Sequence, residues 1–154
     1  MAAFTAFLPV LFSSSEEVAQ MKITRQTEYA IRTILELAGA AQGKVVPTRD
    51  ISLRLKLPDV FLKKTIQLLA HAGLITTQRG TQGGVRLAVP PGNITIAHII
   101  KAVEGNINIS MCVAGGYECS RQGECRLHFI LMRAQAAMLA ELSRESIADL
   151  LKSE

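Results

Sequence analysis

The three cysteines of this 154-residue chain, Cys112, Cys119 and Cys125, lie in one stretch, CVAGGYECSRQGECRLH, which closes on His128. Their spacing is C-x6-C-x5-C-x2-H, with no C-x2-C pair of the kind that clamps a structural zinc ion. Thiolates are soft ligands and the usual holders of iron-sulphur clusters. Widely spaced cysteines on a loop containing Gly115, Gly116 and Gly123 can wrap such a larger cofactor. Three thiolates leave one position open. His128 follows Cys125 by one helical turn, so the two side chains can point to the same side of a helix start.

Two other chemistries use the same residues. Two of the thiols could form a reversible disulfide, giving a redox switch with no metal. A Cys and a His could also act as nucleophile and base, but no oxyanion loop or third orienting residue is evident, which places an enzyme last. A lone cysteine is most often an inert small apolar residue. Three Cys and one His within seventeen residues, on a loop too glycine-rich for a core, make that the minority reading.

The elements that must carry this loop are legible in charge and periodicity. Lys and Arg number 17 against 13 Asp and Glu, and the excess is concentrated. Residues 21–90 hold 11 basic and 4 acidic side chains, a net +7, whereas residues 91–154 hold 6 and 7. The first segment is therefore the one suited to a polyanion. Residues 1–20 begin with the apolar run AAFTAFLPVLF, which lacks a preceding Lys or Arg, is interrupted by Pro9 and is too short to span a bilayer. They read as an extension, disordered or not native, ahead of Met21 as the working start. The expected setting is the cytoplasm, with no membrane association and reduced thiols.

From Met21 the chain reads as helices. TRQTEYAIRTILELAGAAQG sets Tyr29, Ile31, Ile34, Leu35 and Leu37 at helical spacing, with Thr24 as N-cap and Gly43 as stop. Thr48 is placed to cap a short helix carrying Ile51 and Leu55. Pro58 then opens a second, whose apolar residues are Phe61, Leu62, Ile66 and Leu69. Two short helices joined this closely form a helix-turn-helix. LITTQ and VRLAV around RGTQGG predict a hairpin, and a hairpin after a helix-turn-helix is a wing. In such a unit the second helix enters a major groove, and Lys63, Lys64 and Gln67 are the candidate readers on its polar side. Arg79 and Arg86 on the wing are candidates to reach backbone phosphates or a minor groove, and Arg49, in the first helix of the helix-turn-helix, is a further candidate DNA contact. Single lysines more often solvate a helix face, but the net +7 on the same segment weighs against that here.

The remainder, residues 93–154, predicts a helix capped by Asn93 or Thr95 with Ile96, Ile99, Ile100 and Val103 inward, then the cysteine loop, a long helix and a short one. Leu127, Ile130, Leu131, Ala134, Ala137, Met138 and Leu142 make one apolar face of the long helix. The small residues Ala136, Ala137 and Ala140 permit close approach, so a homodimer seam is expected, matching a twofold operator. The fold class is thus mainly α with a small β-hairpin wing: a winged helix-turn-helix over residues 21–92, then a loop and dimerisation helices.

MKITRQTEYAIRTILELA, LPDVFLKKTIQLLAHAGLITTQRGTQGGVRLA, ITIAHIIKAVEG, the three cysteines and IADLL together resemble the IscR/NsrR-type winged-helix iron-sulphur regulators (Rrf-two type). The resemblance covers nearly all of residues 21–154. It implies a DNA-binding homodimer, a transcription regulator rather than an enzyme, whose [2Fe-2S] or [4Fe-4S] cluster alters its affinity for a double-stranded operator. Cys112, Cys119 and Cys125 match the family's three ligands. His128 matches the histidine of the IscR branch, whereas in the NsrR branch the fourth ligand is acidic and near the N-terminus, where Glu28 falls. The first cysteine gap is one residue longer than in IscR, and Phe61 stands where a tyrosine is usual. The alternative function is a cluster-free thiol/disulfide repressor.

Overall fold

The computed structural model describes residues 23–115 and 118–152. The apolar run of residues 1–20, the start at Met21 and Gly116 lie outside the described residues. Helix α1 spans Arg25–Gly39, and Thr24, with extended backbone, accepts the Thr27 amide on its hydroxyl as N-cap. Thr27, Ala30, Thr33, Ile34 and Leu37 form its buried face, with Tyr29, Ile31 and Leu35 half-buried beside it. The helix ends four residues before Gly43. Ala40 is already extended, and Gly43 at φ 78° makes the later left-handed turn. The chain leaves the helix early because Val46 must run antiparallel to Val85, exchanging hydrogen bonds of 2.8 and 2.9 Å with it.

Helix α2, Thr48–Leu55, begins at Thr48 and is not capped by it: Pro47 holds the cap position with no side-chain hydrogen bond. Its ring presets φ, and its carbonyl accepts the amides of Asp50 and Ile51. The helix closes at Lys56, left-handed at φ 52°. Lys56, Leu57 and Pro58 make the turn into α3, Asp59–His71. Ser52 Oγ stands 2.7 Å from Leu57 O and 2.8 Å from Asp59 Oδ1, bracing that turn. Helix α3 buries Leu62, Thr65, Ile66 and Leu69. Phe61, expected in the apolar stripe, is 49% exposed, with its ring 6.2 Å from that of Tyr29. It precedes Leu62 by one residue, about 100° around a helix, and so falls on the flank of the buried face.

Gly73, at φ 74°, turns the chain into an antiparallel hairpin of β1, Ile75–Gln78, and β2, Gly84–Leu87, with Thr76 paired to Arg86 and Thr77 to Val85. Gly84 fixes where this hairpin docks. A Cβ there would lie 2.2 Å from Val46 O and 2.9 Å from the Pro47 Cα, both backbone atoms that cannot swing aside. Gly84→Ala is therefore expected to lower stability by about 1–3 kcal/mol, as overpacking does. Urea unfolding checks this, and a midpoint unchanged from wild type contradicts it.

A 3-10 turn at Pro91–Asn93 leads to α4, Ile96–Glu104, which Thr95 caps and Asn93 does not: the Thr95 hydroxyl and the His98 ring form a reciprocal capping box. Ile99 and Ile100 are buried, while Ile96 and Val103 are half-buried. Helix α4 packs on α1 and α3, and Glu104 at its end accepts hydrogen bonds from the Thr24 and Thr27 hydroxyls. After Gly105 come a 3-10 turn at Met111–Val113, helix α5, Arg126–Leu142, and helix α6, Ile147–Lys152. The last helix returns to α1: Ile147 is buried and its amide donates to Ile94 O at 2.8 Å. Ser146 and Asp149 cap this helix mutually, and the Ser146 hydroxyl holds the Asp149 carboxyl below the usual carboxylate range. One core, from Ala30 to Ile147, thus joins α1, α2, α3, the hairpin, α4 and α6, and α5 stands outside it.

Candidate DNA-contact face and cysteine loop

Burial of Leu62, Thr65, Ile66 and Leu69 at i, i+3, i+4 and i+7 turns the opposite side of α3 to solvent. Lys63, Lys64 and Gln67 are all exposed there. Arg49, on the first turn of α2, is exposed as well. On the hairpin, Arg79 directly follows β1 at the tip. Arg86 is exposed on β2, with its Nε donating to Thr76 Oγ1 across the strands at 3.2 Å. That bond and the strand pairing hold Arg86 outward, whereas Val85 beside it points into the core.

The cysteine loop joins α4 to α5. Cys112 lies in the 3-10 turn, where Ser110 accepts its amide at 3.4 Å and places its hydroxyl 3.2 Å from the Cys112 sulphur. Cys125 is the N-cap residue of α5, one turn before His128. All three cysteines are free thiols and half-buried. Gln135 of α5 ties the loop's approach down, accepting the Ile109 amide at 3.0 Å and donating to Asn108 at 3.4 Å.

His128 is the buried residue of α5, 7% exposed, with its ring edge-on to Phe129. Its Nε2 lies 3.5 Å from the Gln122 amide nitrogen. Its Nδ1 is the one buried side-chain polar atom without a hydrogen-bond partner among the described residues. Glu28 is exposed on α1 and ion-paired with Arg32 at 2.7 Å. Among the described residues no three His, Cys, Asp or Glu side chains converge closely enough to hold a metal ion. Ser110, Gln122 and Gln135 escaped the sequence reading. Ser110, two residues before a cysteine, carried a local signal as a turn former, while the two glutamines act through contacts that only folding creates.

Around the loop, Leu127, Phe129, Ile130 and Met132 of α5 are exposed, an apolar surface with no cover in the single chain. No helix among the described residues is long and apolar enough to cross a membrane.

A basic helix-turn-helix with a two-stranded wing, followed by an uncovered helix, defines a winged-helix DNA-binding regulator. The chain belongs to the Rrf2 family, described as "Iron-dependent Transcriptional regulator", which matches residues 23–153. The HTH-type transcriptional regulator NsrR of Geobacillus kaustophilus is 35% identical over 133 residues, covering 86% of this chain and 90% of that protein. CymR (YrzC), the global cysteine regulator of B. subtilis, shares the fold with a TM-score of 0.69 and 24% identity, over 88% of this chain and 99% of its own. IscR of T. potens does so with a TM-score of 0.66 and 23% identity, over 86% and 88%. The chain is a transcriptional regulator, not an enzyme.

Proposed function

We propose that this chain is a cytoplasmic, homodimeric repressor that binds a double-stranded operator through α3 and the wing, and senses redox, nitric oxide or iron status through an iron-sulphur cluster. Cys112, Cys119, Cys125 and His128 would hold the cluster. The observation that carries this reading is the buried, unpartnered Nδ1 of His128 beside the cysteine loop. Buried polar atoms are seldom left without a partner, and a bound metal ion is one way to supply it. With the Gln122 amide turned end for end, Nε2–H can donate to its oxygen, which leaves the Nδ1 lone pair for a metal. The donor set fits as well: three free thiols and an imidazole are iron-sulphur ligands, and they would converge as the cluster binds. When bound, the cluster supplies an iron centre that oxidants and nitric oxide attack.

This chain's own residues connect that loop to DNA. Helix α4 packs on α3, the reading helix, and runs directly into the loop at Gly105. Helix α5 meets the loop at the Gln135 hydrogen bonds, and its exposed apolar residues are suited to a second copy of the chain. Twofold pairing would set two α3 helices on the two halves of an operator.

The wing arginines are read as phosphate contacts. Losing Arg79 or Arg86 is expected to weaken selected and random duplexes equally and to lower the salt slope of binding by about one unit. A changed preference at a single base pair would assign the wing to sequence readout instead.

Purification without oxygen tests the cofactor. A brown protein carrying iron and acid-labile sulphide is expected. A colourless protein whose thiols pair on mild oxidation would replace the cluster by the thiol switch.

A further inference from the structure

The solvent side of α3 contains a fourth member that charge and hydrogen-bonding arguments pass over. Val60 stands at i to Lys63, Lys64 and Gln67 at i+3, i+4 and i+7, and all four are exposed. Val60 is 76% exposed, more than any other large apolar side chain among the described residues. It is the second residue of α3, in the first turn, and that end of a recognition helix is the one presented to base edges. The helix gains nothing from it. A β-branched side chain loses rotamer freedom in a helix, and alanine would favour the helix more.

We propose that Val60 is a specificity-determining residue that packs against the C5-methyl group of a thymine in the operator's major groove. The inference rests on the proposed reading that α3 enters that groove. Thymine is the base that presents an apolar group there, its methyl, next to the O4 acceptor. Val60 offers two methyl groups and no polar atom, so it gains from that base and leaves the polar edges of the others unsatisfied. One turn further along, Lys63 and Lys64 offer donors to guanine edges or phosphates, and two turns along Gln67 can pair with an adenine. A short row of base pairs is thereby read by one apolar contact followed by polar ones. The thymine belongs to the end of the half-site contacted by the first turn of α3.

The test uses the full chain and an operator selected from a pool of random-sequence duplexes. Each thymine is then replaced in turn by deoxyuridine, which removes only the methyl group. For the wild-type chain, one position in each half-site is expected to lose about fourfold in affinity, the worth of burying one methyl-sized group. For Val60→Ala the same replacement is expected to have no effect at that position. Being exposed, Val60 can be changed without disturbing the core, and an unchanged melting temperature verifies this. A flat deoxyuridine scan, or a loss that persists in Val60→Ala, overturns the assignment while leaving DNA binding intact. Failure to select any sequence above random duplex overturns the DNA reading itself, and this inference with it.

Discussion

A chain with Lys63 and Lys64 both replaced by glutamate is expected to lose at least about a thousandfold in operator affinity, while sedimenting in the same assembly state as the wild-type chain. The two lysines are exposed and the side of α3 that carries them is opposite the buried Leu62, Thr65, Ile66 and Leu69. Reversal therefore leaves the core untouched and puts two carboxylates where phosphate or guanine is expected. Each lost contact costs at least about 1 kcal/mol, and a dimer loses four of them. Part of the loss is long-range repulsion, so it is larger at low salt than at high salt. A gel shift at fixed salt checks the outcome, and retained binding would remove α3 from the interface. A variant that no longer dimerises would mean that α3 serves assembly.

The second large effect concerns the cysteine loop. Alanine at Cys112, Cys119 or Cys125 is expected to abolish iron incorporation, because each removes a thiolate that no neighbouring side chain replaces. The fourth position separates two candidates. Changing a partner one shell outside a metal already costs about 10–100-fold in affinity, so removal of a direct ligand costs at least that much. His128→Ala is accordingly expected to lose most of its iron on anaerobic reconstitution, and Glu28→Ala to keep it. Glu28 is occupied by Arg32 on the exposed face of α1, whereas the Nδ1 of His128 is buried without a partner. The reverse outcome, with wild-type spectrum and iron content in His128→Ala and loss in Glu28→Ala, assigns the fourth position to the acidic residue.

The second effect depends on how the loop is suspended. Ser110 holds its first half by a local hydrogen bond and Gln135 by one from α5, 26 residues away in the chain, and Cys125 is held at the start of a regular helix. The loop therefore connects two elements with different attachments. Helix α4 is locked into the core by Ile99 and Ile100, while α5 buries only His128.

The sequence by itself determined the local elements, because their causes are local. Periodic apolar residues, the Thr24 and Thr95 caps and the glycine-rich turn of the hairpin act within a few residues of themselves, so helices, wing and helix-turn-helix were legible before folding. The cysteine and histidine spacing was equally plain. Tertiary structure decided what depends on distant chain. The pairing of Val46 with Val85 explains why α1 stops at Gly39 and why position 84 must be glycine. Phe61 is turned to the flank of α3 because Leu62 and Ile66 already fill the space against the core, a matter of about 100° that apolar counting does not resolve. The burial of His128, with one nitrogen near Gln122 and the other unpartnered, likewise arises only when the loop folds against the start of α5. A residue's type sets which bonds it can make, but burial and the absence of a partner are properties of its surroundings, and those are assembled from residues far apart in the chain.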